Sequence, residues 1–296
     1  DVYKRQLLMG MGMTAYEALC HSLTTLAAGG FSPSSTSIAG YGSPGVEWVL
    51  VVFMFLSGAS YPLQLKVYTG ELLGFFRDGE FLFYLGAGAI CTGLLALVLT
   101  TDGVSGGEAI RLAAFQITSL QSSTGFASTD YNLWTDAAKA ILVLIMIIGA
   151  CAGSAGGGPK CIRYLLVSRH VLREFKQVLH PRAVLPLLYK SQAVPAQIMR
   201  AVFTLVSLYF AGYLLLGLAL VITEGDLILG FSAALACLGS IGPGFGEAGP
   251  MGGFAGFTTT GKVLLFAAMW IGRLEILTVL ALLHPDVWRN MTLSRS

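Results

Sequence analysis

The chain has 296 residues, of which 55% are hydrophobic and only 11% are charged, and its mean hydropathy is +0.72. Such a composition excludes an ordinary soluble domain and is typical of membrane proteins. The 18 basic and 16 acidic residues nearly cancel to a net charge of +2, so nothing favours nucleic acid as a partner. The five cysteines and four histidines follow no CxxC or HExxH spacing, and we predict neither a metal-ligand cluster nor a cofactor.

The chain opens on Asp1, without a Met or a signal-peptide pattern, and its first apolar segment is too short to span a bilayer. We therefore expect an N-terminally truncated chain. Further along, five nearly uncharged stretches have the roughly 20 residues that a helix needs to cross a hydrocarbon core. They are residues 48–65, 81–100, 140–158, 201–223 and 263–283.

Three shorter apolar segments, at 14–28, 108–124 and 227–241, each end in a stretch that contains glycine. Segments of that length are buried or re-entrant rather than spanning. The pattern of span, short helix, glycine stop and span recurs at intervals of roughly a hundred residues, which indicates an internal repeat. We predict repeats at 1–68 (without its leading span), 69–168 (with a glycine-rich broken helix) and 201–284, a basic linker at 169–200 and a tail at 285–296.

The basic residues predict the orientation. Eight of the 18 lie between Lys160 and Arg200, and Arg289 and Arg295 lie in the tail, so both regions are predicted to be cytoplasmic. The glycine stops then face outward, among loops that carry acidic residues and would concentrate cations. These are Glu47, Asp102, Asp130, Asp136, Glu224, Asp226 and Glu247.

Irregular backbone at membrane depth is tolerated only where it is buried in protein or lines water. The carbonyl oxygens of a glycine-centred loop therefore need a partner, and a partly dehydrated cation is a suitable one. A preceding helix that points its negative dipole end at the same place also favours cations. A single glycine after an apolar helix could equally be a C-cap, but three in matching repeat positions favour an ion path.

The same segments resemble the potassium-uptake family that includes TrkH, TrkG and KtrB. Residues 21–32 (HSLTTLAAGGFS), 121–130 (QSSTGFASTD) and 239–246 (GSIGPGFG) resemble its second, third and fourth pore loops. Residues 153–160 (GSAGGGPK), His180-Pro181 in the linker and residues 271–275 (IGRLE) extend the likeness over nearly the whole chain.

The resemblance implies an all-α polytopic membrane protein of the potassium-channel-like superfamily, in which four repeats surround one pore. It places K⁺ at Gly29, Gly125 and Gly242, and it implies that this chain lacks the first repeat. The selectivity filter would comprise Ala28, Gly29, Gly30, Thr124, Gly125, Phe126, Ile241 and Gly242. Ala27 and Ala28 stand where the family often has Ser-Thr, so a hydroxyl contribution is lost there.

Two elements are candidates for a gate. The glycine run Gly153, Gly156, Gly157 and Gly158 lies in a predicted span, where each glycine costs a helix about 1 kcal/mol relative to alanine. Close helix packing is one explanation; we favour the other, an unwound intramembrane loop, which the resemblance implies is a gate together with Lys160. Arg273 lies ten residues into the last predicted span, where a charge needs a partner such as Glu275, or water. By resemblance, it lies in the permeation path.

The resemblance further implies potassium uptake across a bacterial inner membrane, a homodimer in contact with lipid, and a cytosolic TrkA/KtrA-type ring of nucleotide-binding subunits. Dependence on Na⁺ or H⁺ stays open, because a coupled secondary transporter also places broken helices around ions. A membrane-embedded enzyme would need a convergent nucleophile, base or metal cluster, which the spans lack. A chain short of one repeat could also conduct nothing by itself.

Overall fold

The computed structural model describes residues 1–70, 74–183, 185–190, 192–283 and 285. They form thirteen α-helices, three short 3-10 helices (Ser37–Tyr41, Tyr131–Leu133 and Gly246–Ala248) and one two-stranded hairpin. The helices are α1 (Val2–Gly10), α2 (Ala15–Leu26), α3 (Pro44–Gly58), α4 (Tyr61–Tyr68), α5 (Gly74–Arg77), α6 (Gly79–Thr101), α7 (Gly106–Gln121), α8 (Asp136–Ile148), α9 (Cys161–Leu179), α10 (Ala196–Glu224), α11 (Leu227–Leu238), α12 (Thr259–Leu274) and α13 (Ile276–Leu283); strands β1 (Leu188–Tyr189) and β2 (Gln192–Ala193) pair antiparallel.

Two helices, α6 and α10, are long and apolar enough to cross a membrane unaided, with hydropathies of 2.2 and 2.3. Two bent helix pairs are further candidates for broken spans: α3 and α4 meet at 104°, and α12 and α13 meet at 103°. The predicted continuous spans at 48–65 and 263–283 are therefore wrong in detail, because each is broken after an apolar helix. Exposed leucines and isoleucines on α6 and α10 are consistent with contact with lipid.

The three short segments form helices α2, α7 and α11, as predicted. Polar side chains cap the amino termini of α2 and α11. Thr14 and Glu17 form a capping box on α2, and the Asp226 carboxylate accepts the N–H of Leu229 at 2.7 Å on α11. The last seven residues of α7, 115–121, are all buried, because α6, α3 and α8 pack around it. The all-α membrane architecture is confirmed; α7 and α11 are largely buried in it, whereas α2 exposes one face that includes Tyr16 and Leu23.

The predicted linker is only partly irregular. The helix α9 runs on to Leu179 and α10 begins at Ala196, so the boundaries proposed at 168 and 200 fall inside helices. The hairpin lies between them, and Lys190 at its turn reaches Asp78, the N-cap of α6. Of the predicted tail at 285–296, all but Pro285 lies outside the described residues.

Candidate functional site

The helices α2, α7 and α11 end in the same turn. We call the segments that follow loop A (residues 27–31), loop B (122–126) and loop C (239–243). In loop B the N–H of Thr124 donates to the Ser119 carbonyl at 2.9 Å and the N–H of Ser123 to the Leu120 carbonyl at 3.2 Å, which is the Schellman pattern. Loops A and C repeat both bonds: Gly29 to Thr24 and Ala28 to Thr25, Ile241 to Ala236 and Ser240 to Cys237.

The left-handed residue of each cap is not a glycine. It is Ala28 (φ 50°), Ser123 (φ 59°) or Ser240 (φ 52°). A second left-handed residue, always a glycine, follows two positions later. Since an L-residue pays roughly 1–2 kcal/mol for this conformation, a sequence built only for helix capping would place glycine at the first position. The C-cap explanation of the glycines is therefore excluded.

This backbone register corrects one equivalence. The glycine that matches Gly125 (φ 82°) and Gly242 (φ 111°) is Gly30 (φ 66°), not Gly29, which occupies the position of Thr124. Two glycines stand side by side in loop A, so the motif alone does not show which of them corresponds to Gly125. The hydroxyl missing from loop A is thus that of Thr124, replaced by Gly29.

The loops touch one another through these glycines. A Cβ added to Gly30 would overlap the carbonyl oxygen of Thr124, and one added to Gly125 would overlap the carbonyl oxygen of Ile241. Gly242 meets nothing within 4 Å in the described part of the chain. The three loops therefore form an arc in the order A, B, C, in which Gly30 and Gly125 each pack against the backbone of the next loop.

One cavity of 580 Å³ follows this arc. It brings together most of the predicted filter residues with Arg273, and its lining includes Ala28, Gly29, Gly30, Thr124, Gly125, Ile241, Gly242 and Met269. Phe126 is the exception: it is fully buried in the core around α2, α3 and α7, and its carbonyl accepts the Ser119 hydroxyl at 2.7 Å. The structure thus places seven of the eight residues on one surface and Phe126 behind it.

The carbonyls of the loops fall into two groups. Among the described residues, no donor reaches the carbonyl oxygens of Gly29, Thr124 or Ile241. In loops A and B, a side-chain hydroxyl of the preceding helix donates to the carbonyl two residues further along the loop. Thr24 donates to the Phe31 carbonyl at 3.0 Å, and Ser119 donates to the Phe126 carbonyl at 2.7 Å. We call these two hydrogen bonds hydroxyl braces. The equivalent helix residue of loop C is Ala236, which has no hydroxyl. Sequence analysis missed these braces, although a hydroxyl seven residues before an aromatic is visible in both loops.

Residues 149–160, which we call the intramembrane loop, separate α8 from α9 without helical structure. The predicted unwinding of the glycine run is therefore observed. A Cβ on Gly156 would lie 2.9 Å from the Ser122 carbonyl oxygen, and one on Gly157 would overlap the Gly239 carbonyl oxygen. The intramembrane loop thus passes directly against the carboxyl ends of α7 and α11.

Two cationic side chains hold this loop. Lys160 donates to the carbonyl of Gly156, and Arg273 donates to the carbonyl of Ala155 at 3.0 Å. The expected partner of Arg273, Glu275, instead binds Arg163 at 2.7 Å. Glu275 has φ 66° and starts the 103° bend, so Arg273 lies at the end of α12 rather than inside a continuous span. Gly153 was also predicted at the gate, but it lies away from the cavity: a Cβ added to it would lie 3.4 Å from Cδ of Pro62.

The outer acidic residues are less uniform than expected. Glu47 is buried, with 4% of its surface exposed, and it pairs with Arg111 at 2.8 Å. It cannot contribute a free charge to a vestibule. Near the basic linker, burial opposes ionisation of Asp78, but hydrogen bonds from Lys190 at 2.7 Å and from two backbone N–H groups outweigh it and lower the pKa of that carboxyl. The hydrogen bond to Asp78 raises the pKa of Lys190.

Comparison with known proteins identifies the family. The family model TrkH, described as a cation transport protein, matches residues 2–287. The potassium uptake protein TrkH of Escherichia coli K12 is 34% identical over 282 residues, covering 94% of this chain and 58% of that protein. TrkG of the same organism is 30% identical over 285 residues, again 58% of its length.

The crystal structure of the potassium transporter TrkH from Vibrio parahaemolyticus superposes with a TM-score of 0.90 at 32% identity, covering 97% of this chain and 62% of that one. The chain therefore spans somewhat less than two thirds of the length of these relatives. The predicted fold class and family are both confirmed, and the family is one of transporters rather than enzymes. The chain is a multi-pass membrane protein that belongs to the TrkH family of cation transport proteins.

Proposed function

We propose that the chain carries K⁺ into the cell across the bacterial inner membrane, through the cavity that loops A, B and C line. The single observation that supports this most is the arc of carbonyls at Gly29, Thr124 and Ile241, which no donor from the described part of the chain reaches. Unpaired carbonyls at membrane depth need a polar partner, and a dehydrated cation fits a curved row of them. The carboxyl ends of three helices at the same cavity favour a cation over an anion.

The intramembrane loop is the proposed gate. It lies against the ends of α7 and α11, so a movement of Gly156 and Gly157 would alter the path beneath the filter. Arg273 lines the cavity and also donates to this loop, which makes it both a charge barrier to cations and a latch for the gate. No ATP-hydrolysing step is needed, because the membrane potential supplies about 2.3 kcal/mol per charge per 100 mV.

The proposed assembly is a homodimer in lipid with a cytosolic ring of nucleotide-binding subunits on the side of the basic linker. The support is the concentration of basic residues between Lys160 and Arg200, which orients that side to the cytoplasm. The permeant ion is K⁺, and coupling to Na⁺ or H⁺ is decided by the experiment below.

The test is uptake of rubidium-86 by liposomes that contain the protein expressed from its complete reading frame. We expect uptake that follows an imposed potential, competes with K⁺ and competes only weakly with Na⁺. Uptake that requires a Na⁺ or H⁺ gradient and saturates at a low rate would replace the channel mechanism by a coupled transporter. Absence of any uptake, with the protein intact in the membrane, would contradict the proposed function.

A further inference from the structure

Glu80, in the first turn of α6, is a buried carboxylate to which sequence analysis assigned no role. Only 7% of its surface is exposed. Its Oε1 atom accepts two backbone hydrogen bonds, from the N–H of Ala152 at 2.5 Å and from the N–H of Ile162 at 3.2 Å. These two donors lie near the start of the intramembrane loop and just beyond its end, so one oxygen atom connects both ends of the loop to a different helix.

The first turn of α9 has backbone N–H groups that need a hydrogen-bond acceptor. The first four N–H groups of any helix lack internal partners, and the N-cap of α9, Lys160, makes no side-chain cap. Its side chain turns back to the carbonyl of Gly156. The carboxylate of Glu80 therefore supplies the cap that α9 lacks, at a helix amino terminus where negative charge is favoured. Hydrogen bonds to an ionised acceptor are about twice as strong as neutral ones.

The position of Glu80 also gives it access to the cytoplasmic side. It forms part of the wall of a cavity of 840 Å³, which is also lined by Lys66, Arg77, Asp78 and Lys190. Lys190 comes from the hairpin of the basic linker and pairs with Asp78, two residues before Glu80. A movement of the hairpin can therefore reach the amino terminus of α6, and through Glu80 the intramembrane loop.

We propose that Glu80 is a positioning residue that clamps both ends of the intramembrane loop and so holds it against α7 and α11. This inference rests on the proposed function only in that the loop gates ion flow; the clamp itself is a property of the loop's conformation. The loop carries its own reporter, because Cys161, beside Ile162, is fully buried and its thiol lies 3.2 Å from the Gly149 carbonyl oxygen.

The experiment measures labelling of Cys161 by a membrane-permeant maleimide, read as a mass shift of the intact protein. The other cysteines, Cys20, Cys91, Cys151 and Cys237, are replaced by alanine in all samples. We expect Glu80→Ala to raise the labelling rate at least tenfold. Glu80→Gln should stay within twofold of the parent, because the amide oxygen of glutamine accepts the same two N–H groups.

The matched control is Glu108→Ala, which removes a half-exposed carboxylate from the first turn of α7 without contact to the intramembrane loop. It should leave labelling unchanged. If Glu80→Ala does not yield monodisperse protein, the pair Glu80→Asp and Glu80→Gln replaces it, since aspartate is one methylene too short to reach both donors. Equal labelling in parent and Glu80→Ala, or in the Asp and Gln variants, would overturn the clamp.

Rubidium-86 uptake on the same preparations separates this inference from the proposed function. Faster labelling with faster uptake supports both. Faster labelling with unchanged uptake supports the clamp but contradicts the proposal that the intramembrane loop gates ion flow. Unchanged labelling with normal uptake in the parent removes the clamp and leaves the proposed function intact.

Discussion

A methyl group at Gly125 would overlap the carbonyl oxygen of Ile241 and stand 3.0 Å from Cδ of Pro243. Relief of this overlap requires a relative shift of roughly 1 Å between loops B and C. Ion coordination tolerates changes on the order of 0.2 Å, so Gly125→Ala should abolish discrimination of Rb⁺ from Na⁺. The positive φ of 82° adds about 1–2 kcal/mol of backbone strain, and overpacking adds about 1–3 kcal/mol.

The assay is the ratio of rubidium-86 uptake with and without competing Na⁺, together with the thermal unfolding temperature in detergent. Gly103→Ala is the control, because Gly103 has a similar φ of 95° but no atom within 4 Å of its added Cβ in the described chain. Gly103→Ala should be destabilised only by the backbone strain and should keep the selectivity of the parent. If Gly125→Ala retains both the rate and the selectivity of the parent within twofold, the contact between loops B and C does not shape the ion path.

Two further predictions concern charges. Arg273→Ala should raise rubidium uptake roughly tenfold, because a positive charge on the order of 10 Å from a cation costs it about 1.7 kcal/mol at an effective dielectric of 20; Arg273→Lys, which keeps the charge, should not, and equal rates in the two variants would exclude a charge barrier. Asp78→Asn keeps an acceptor for the α6 cap but loses the pair with Lys190. The lowered pKa of Asp78 means that its contribution to stability is present above about pH 4 and lost as pH falls through the folded pKa, whereas the raised pKa of Lys190 means that its contribution is lost only above about pH 10. The unfolding temperatures of parent and Asp78→Asn should therefore differ by a constant amount from pH 5 to 9 and converge below pH 4. Since the Lys190 side chain is 58% exposed, the free energies of unfolding of the two proteins should differ by less than about 1 kcal/mol. A difference in unfolding temperature that grows in acid would contradict a stabilising ion pair between Asp78 and Lys190.

The short helices, their glycine stops and the unwound intramembrane loop could all be predicted from sequence, because hydropathy and glycine spacing report directly on how backbone can behave in a bilayer. The register of loop A could not. Gly29 and Gly30 are equally able to adopt a positive φ, and the choice is made by the Thr124 carbonyl, which leaves no room for a Cβ at Gly30. That contact joins residues almost a hundred positions apart.

The bends after α3 and α12 were also beyond sequence reasoning. A hydropathy window measures apolar length and is blind to a change of direction, so the segments on both sides of Ala59 and of Glu275 counted as one span. The ion pair of Glu275 with Arg163 and the clamp at Glu80 had no local signal, because their partners lie on other helices.

The absence of a hydroxyl brace in loop C has a consequence for how such a pore can change. In an assembly of identical subunits, every substitution in the ion path appears in all copies at once. Here Thr24, Ser119 and Ala236 occupy one structural position in three different forms. Each of the three loops of the proposed ion path can therefore change independently of the others, so that the proposed response to different ions can be adjusted by a substitution in one loop alone.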